Sequence, residues 1–334
     1  MPQLSIFIPA LGPLERMEST LASVLQNRPD DCEVVVALPC AYDDPYALAD
    51  EVRFVVAAGA RNTAELTAAG LRSVGGDVLH LLAAGAEVED GWTTAPVERF
   101  ADARIAAVAP LVVRSRGAAT VCSAGVEYGL GGVRRRNGCG DAISEHLTDA
   151  DVLGPTSVAG FYRAAALREL AAPFDAAVGD RLLDVDVALQ LRAAGYRAVY
   201  EPRSIVYREQ AATAPSSGLR QGLEVERLFW RHAPQFGGLR AAAAHLLTLA
   251  GELFTRDGWG TTLARYAGRA CALFDVAGIR RFRKAQAAVG TPGLAYGVTA
   301  TGDRFRIDAA HPRRPASTPA RIPADRRSDG DLAA

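Results

Sequence analysis

Leu4-Ser5-Ile6-Phe7-Ile8-Pro9, then Met17, Leu21, Val24 and Leu25 at helical spacing, then Glu33-Val34-Val35-Val36-Ala37-Leu38, reads as strand, helix, strand. Both strand segments are near-continuous apolar runs, the pattern of strands covered on both faces. Pro9 and Pro39 end them, since proline cannot donate to a sheet ladder. Strands of this kind pair in parallel through crossover helices, so these 35 or so residues already point to an α/β sheet.

The same alternation continues outward. Residues 53–56 form a third strand, residues 63–74 a helix broken by Gly75-Gly76, and Val78-Leu79-His80-Leu81-Leu82 a further strand. Residues 106–113, 157–163 and 197–200 add strands, and residues 185–194 add a helix ending at Gly195. The expected result is one α/β domain over residues 1–211 with a mixed, mainly parallel sheet flanked by helices. Open sheets of this type bind ligands beyond the carboxyl ends of their strands, which directs attention to the loops after Ile8, Leu38 and Leu82. The stretch Ala-Thr-Ala-Pro-Ser-Ser-Gly breaks the pattern after Ala211, and residues 212–289, rich in alanine, leucine and arginine, read as a helical annex. Residues 290–334 are rich in proline and arginine and are expected to be disordered.

Composition narrows the function classes. The 334 residues are 49% hydrophobic with a net charge of −1, enough apolar mass for a large core and no global attraction to nucleic acid. Any polyanion must be met locally, and a small phosphorylated ligand fits better than DNA or RNA. Five scattered cysteines with no CxxC pair are expected in a reducing cytoplasm. The opening MPQLSIFIPA carries neither a basic nor a long apolar segment, and residues 241–254, interrupted by His245 and Glu252, fall short of the ~20 apolar residues of a membrane span. No signal peptide and no transmembrane segment are expected.

Four stretches together resemble family 2 inverting glycosyltransferases of the GT-A, nucleotide-diphospho-sugar transferase fold. They are the opening Ile8-Pro9-Ala10-Leu11-Gly12 with its following helix and strand; Gly76-Asp77-Val78-Leu79 through Glu89-Asp90-Gly91-Trp92; Cys122-Ser123-Ala124-Gly125 through Gly131-Gly132; and Asp184-Val185-Asp186 through Gly195-Tyr196. The resemblance covers residues 4–209 and leaves the annex unmatched. It implies a nucleotide-sugar donor, a glycan or other hydroxyl acceptor, and a role in polysaccharide or cell-envelope glycan synthesis.

Carried over residue by residue, the resemblance makes Asp184 the general base, with capping of the following helix as its alternative role. Pro9, Asp186, Gly160 and Arg208 are the expected substrate-binding residues, Arg208 by stabilising the departing diphosphate. The family's metal-binding aspartates fall at Ala83-Ala84-Gly85, which cannot ligate an ion, and its metal-binding histidine falls at Arg208. No cofactor is therefore expected, with Glu87 and Glu89 the nearest substitutes for a divalent ion. Asp43 and Asp44 read as turn residues after a strand where the family places its nucleoside-binding aspartate. Arg134-Arg135-Arg136 reads as a basic turn that faces either phosphate or solvent. His80, on a strand among leucines, reads as a core histidine. The rival to a transferase is a degenerate transferase fold kept for binding or assembly. A dinucleotide-dependent oxidoreductase lacks its GxGxxG, and Ser123 and Ser157 lack the context of a hydrolase nucleophile.

Overall fold

The computed structural model describes residues 3–208, 217–253 and 258–289. The first half unfolds as expected: β1 (Leu4–Pro9), α1 (Leu14–Asn27), β2 (Cys32–Leu38), β3 (Val52–Val56), α2 (Thr63–Gly70) and β4 (Val78–Leu82). There follow β5 (Ala86–Val88), α3 (Thr94–Arg99), β6 (Ile105–Val113), β7 (Val121–Ser123), β8 (Val126–Tyr128), β9 (Arg134–Arg136), β10 (Ala150–Val152), β11 (Ala159–Arg163), α4 (Ala164–Glu169), α5 (Leu183–Ala193) and β12 (Arg197–Arg208). Four C-terminal helices close the described chain: α6 (Gly218–His232), α7 (Leu239–Glu252), α8 (Trp259–Leu273) and α9 (Val276–Ala288).

The main sheet has the order β10-β12-β6-β11-β4-β1-β2-β3. β1 pairs in parallel with β2 and β4, β2 with β3, and β6 with β12, while β11 runs antiparallel between β4 and β6. Every residue of β1, β4 and β6 is buried, as their near-continuous apolar runs require, Ser5 and His80 being the polar exceptions. Alternation then sorts the side chains. Phe7, Val35, Leu79 and Leu81 enter one core; Ile6, Ile8, Val34 and Val36 enter the other, against Met17, Leu21 and Val24 of α1. Leu228, Phe229 and Phe236 join the first core, so the C-terminal helices share apolar packing with the sheet domain.

Three differences from the sequence reading have local causes. β12 runs on to Arg208 although Glu201, Pro202 and Arg203 interrupt its apolar character. An irregularity in the pairing between Glu201 and Ile205 absorbs the proline, and the buried Glu201 carboxylate is held by Arg99 at 2.7 Å and Arg203 at 2.9 Å. α2 stops at Gly70, four residues short, and continues as turns. The segment around residues 122–132 forms β7, β8 and a Gly-rich turn, with β8 paired to β9 as a separate hairpin. The expected break after Ala211 and the tail 290–334 lie outside the described residues.

His80 is a core histidine, as its strand context predicts. It is fully buried, stacks on Phe161 at 3.8 Å between ring centroids, donates through Nδ1 to the Gly160 carbonyl (3.3 Å), and accepts at Nε2 from Trp92 Nε1 (3.2 Å). Burial pulls its pKa from 6.5 down to about 3, so the folded chain holds it neutral. Unfolded chains bind a proton there that folded chains refuse. The stabilisation is complete above pH 6.5 and is lost as the pH falls toward 3, at about 1.4 kcal/mol per pH unit. In His80→Phe, the pH dependence of unfolding free energy between these limits should be shallower than in the parent by about that slope, measured by denaturant titration at several pH values.

Candidate functional site

Because β1, β2 and β4 run parallel, Pro9, Leu38 and Leu82 end on one edge of the sheet. Beyond β4 the chain turns at Ala83-Ala84-Gly85, and Gly85 takes φ +87°, a left-handed conformation natural to glycine. Its N–H donates to the Arg16 carbonyl (3.0 Å) and to Thr20 Oγ1 (2.8 Å). These bonds seat the first turns of α1 against the end of β4 and bring Arg16 to the edge. From the other side, Arg208 arrives opposite Ala86 of β5 at the end of β12. A cleft of about 390 Å³ opens between them, its walls carrying four arginines, Arg16, Arg114, Arg116 and Arg208, against two carboxylates, Glu15 and Glu87.

The charge balance of this cleft is uneven. Burial, and after it the nearby charge of Arg16, depresses the Arg208 pKa, the mark of a poorly hydrated cation with a second cation close by. Among the described residues no carboxylate pairs with Arg16, Arg114 or Arg208. Arg116, by contrast, is neutralised by Glu89 at 2.7 Å, which also accepts from the Tyr207 hydroxyl, and its guanidinium lies over the Tyr207 ring. One desolvated guanidinium, Arg208, with the exposed Arg16 and Arg114 beside it and no ion-pair partner on any of the three, is chemically suited to a multiply charged anion such as a diphosphate.

Asp184, in the first turn of α5, lies on the same edge. Its carboxylate accepts from the Ser157 N–H (3.2 Å), and the adjacent Val158 carbonyl accepts from the Ala83 N–H (2.8 Å). The carboxylate is also fully covered. Arg134 of β9 donates to it twice, Nε to Oδ1 at 3.0 Å and Nη2 to Oδ2 at 2.5 Å, and the Val185 N–H adds a further bond. Burial works against the Arg134 charge, and the Asp184 carboxylate more than offsets it, leaving the guanidinium pKa raised. In this arrangement no acceptor hydroxyl reaches Asp184; access requires Arg134 to move aside.

The remaining expected site residues are placed elsewhere. Asp186 is fully buried and faces the C-terminal helices: Oδ1 meets His232 Nε2 at 2.8 Å, and Oδ2 accepts from Gln190 Nε2 at 2.8 Å. Both oxygens are engaged, so the expected acceptor contact gives way to a tie between α5 and α6. Gly160 is paired with Leu81 inside the sheet, and a Cβ there would lie 2.6 Å from Pro155, so packing rather than ligand contact explains it. Pro9 ends β1 beside Ala37 and shapes the strand edge. Of the five named residues, Arg208 is the one in the cleft wall. Arg16 and Arg114, which share its cleft, carried no signal in the sequence beyond their positive charge, and Arg134, read as part of a basic turn facing phosphate or solvent, is on strand β9 and faces the Asp184 carboxylate.

No family model matches the chain, and no curated protein is similar to it in sequence. Solved structures are similar in fold. A mannosyltransferase from Pyrobaculum calidifontis, PcManGT, in complex with GDP-Man and Mn2+, matches with a TM-score of 0.50 at 17% identity over 86% of this chain and 85% of that one. GalNAc-T7 with UDP, GalNAc and Mn2+ matches with a TM-score of 0.51 at 14% identity over 82% of this chain. This chain spans 56% of the length of the second. The chain has the GT-A fold, a mixed and mostly parallel sheet flanked by helices, with helices added at its C-terminal end.

Both neighbours hold Mn2+, which overturns the expectation of a fold working without a cofactor. The residues at the matching edge do not by themselves fit such an ion. Ala83, Ala84 and Gly85 offer no side-chain ligand, Glu89 is engaged by Tyr207 and Arg116, Glu87 is in the cleft wall but accepts from the Ser19 hydroxyl at 3.5 Å, and no group of three His, Cys, Asp or Glu side chains converges among the described residues.

The Arg134–Asp184 pair makes a stability prediction. Removing the guanidinium leaves a carboxylate buried without its counter-charge, which costs about 3–5 kcal/mol. Arg134→Met should lower the unfolding free energy by about that amount, and adding Asp184→Asn should recover a large part of it, measured by chemical denaturation.

Proposed function

We propose that the chain transfers a sugar from a nucleotide-sugar donor to an acceptor hydroxyl with inversion, as an inverting glycosyltransferase of polysaccharide or cell-envelope glycan synthesis acting in the cytoplasm. Residues 1–211 are then the family 2-like transferase unit and 212–289 its helical annex. The observation that carries this is the cleft at the carboxyl edge of a GT-A sheet in which the desolvated Arg208 and the exposed Arg16 beside it have no carboxylate partner. In this reading the two guanidinium groups hold the donor diphosphate and take up charge as it departs. Asp184, once Arg134 has moved aside, removes the proton from the acceptor hydroxyl. The acceptor oxygen bonds to the anomeric carbon as the bond from that carbon to the diphosphate oxygen breaks, and the nucleoside diphosphate leaves with the electron pair. A divalent ion bound with the donor would add Lewis-acid charge neutralisation at the phosphates.

One observation favours the rival, a transferase fold kept for binding. Both oxygens of Asp184 are occupied, so the one carboxylate that resembles a base is out of reach. The two readings share the donor site and differ at Asp184.

The test is a calorimetric panel of UDP-, GDP-, dTDP- and CMP-sugars with manganese present throughout. At least one should bind, and Arg208→Ala should weaken it by about one to two powers of ten, the worth of a hydrogen bond to a charged group. If no donor binds, the transferase and donor-binding readings both fail, and a degenerate fold kept for assembly is what stands. For a donor that is transferred, Asp184→Asn should lower turnover at least ~100-fold with donor affinity unchanged. Tight donor binding with no transfer, to any acceptor offered, supports the binding reading.

A further inference from the structure

A second concavity, of about 430 Å³, lies away from the donor cleft and has the volume of a small-molecule site. It opens where the β8–β9 hairpin, the C-terminal half of α5, β10 and the first residues of β12 meet α7. Its lining is graded by burial. Val152, Leu189 and Phe236 are buried and apolar, whereas Glu127, Arg135 and Arg240 are exposed and charged. The cavity therefore has an apolar interior and a charged rim.

The charges in the walls do not balance. Arg135, Arg192, Arg197 and Arg240 stand against Glu127 and Asp151, four guanidinium groups to two carboxylates and so a surplus of two positive charges. Asp151 is already spent on Arg197 at 2.5 Å. Glu127 is opposite Arg135 in the hairpin register without forming a salt bridge to it, and among the described residues no carboxylate pairs with Arg240. Burial depresses the Arg192 pKa, so part of this positive charge is poorly hydrated. Asn137, in the same wall, keeps its side-chain oxygen buried with no partner within the chain, although buried polar atoms are as a rule bonded.

This combination selects a ligand. An apolar interior suits an apolar body, and a doubly positive rim suits a doubly negative head. Among small groups a phosphate monoester supplies that head, since it is close to −2 above its second pKa of about 6, and guanidinium groups bind it by charge-assisted hydrogen bonds. A carboxylate brings half the charge. Position separates this site from the donor cleft. Arg197 at the start of β12 lines the one and Arg208 at the end of the same strand lines the other. Twelve residues of strand at ~3.3 Å each set the two on the order of 30 Å apart, so a molecule held in this cavity does not meet one held in the cleft.

We propose that this cavity is a second ligand site, for a phosphate monoester carried on an apolar body. The proposal does not depend on the transfer reaction, whose residues are elsewhere.

The experiment is calorimetric titration of the full chain with phenyl phosphate at about pH 8, where the probe is a dianion. Phenyl phosphate should bind, and inorganic phosphate, phenol and benzoate should each bind at least about tenfold more weakly, lacking the body, the head or the second charge. Arg135→Ala with Arg240→Ala should weaken phenyl phosphate about tenfold, since each exposed guanidinium contributes a few-fold. Leu247→Asp, at a position 75% exposed that leaves the melting temperature near that of the parent, sets a carboxylate at the rim and should weaken it as well. Binding should persist in Arg208→Ala, which removes the buried cation of the donor cleft. No heat of binding at millimolar phenyl phosphate overturns the proposal. So does binding that Arg208→Ala abolishes and the cavity variants leave alone, or benzoate binding as tightly as phenyl phosphate.

Discussion

The rest of the architecture depends on one constraint: β1 is hydrogen-bonded in parallel on both sides, to β2 and to β4. Parallel neighbours cannot be joined by hairpins, so α1 and α2 must cross over the sheet, and all six residues of β1 are buried between the two layers. The pairing also fixes where the chemistry is. Three strands pointing the same way end on one edge, and the turn at Gly85 locks the start of α1 to that edge through the Arg16 carbonyl and the Thr20 hydroxyl. Arg16 reaches the cleft because its own carbonyl and the Thr20 hydroxyl accept from the Gly85 N–H, not because of any ion pair of its side chain.

This explains which parts were legible in the sequence. Ile6, Val34 and Leu79 announce buried strands because burial on both faces demands an unbroken apolar run, and runs are visible in one dimension. His80 among leucines announces itself the same way, since a charge there would be intolerable. The short strands β5, β7, β8, β9 and β10 did not show, because three residues cannot display a period and their pairing partners are far away in the chain. β12 was cut short at Tyr200 because Glu201 and Arg203 look like a surface loop until Arg99, about a hundred residues earlier, is seen to neutralise the buried carboxylate.

The site was less legible than the fold for the same reason, sharpened by charge. Asp184 and Asp186 are two residues apart and look equivalent in sequence, yet one faces Arg134 from a hairpin fifty residues earlier and the other faces His232 from a helix that the family resemblance does not reach. Each carboxylate's role is set by its partner, and the partners are long-range. Cleft arginines are harder still. Arg16 and Arg114 sit among many arginines, and only their meeting with Arg208 in one cleft distinguishes them.

That contrast between satisfied and unsatisfied charge separates the two halves of the proposed reaction. On the donor side the guanidinium groups of Arg16 and Arg208 are without carboxylate partners, and the burial of Arg208 beside a like charge raises the free energy of the unliganded protein, so an incoming diphosphate is bound partly by relieving that cost. On the acceptor side Asp184 is already in a bidentate ion pair, and a base so engaged cannot take a proton until its guanidinium is drawn away. The donor site is therefore built in advance, and the base is not. Arg134 stands in the β8–β9 hairpin, outside the main sheet, so displacing it disturbs no strand of the sheet that holds the cleft. An order follows from the electrostatics: donor first, into a site that already attracts it, and exposure of Asp184 second, when an acceptor or a movement of the hairpin supplies Arg134 with something else to bind. Such an order would keep an activated donor from meeting a competent base before an acceptor is in place, which is the condition for transfer to outrun hydrolysis.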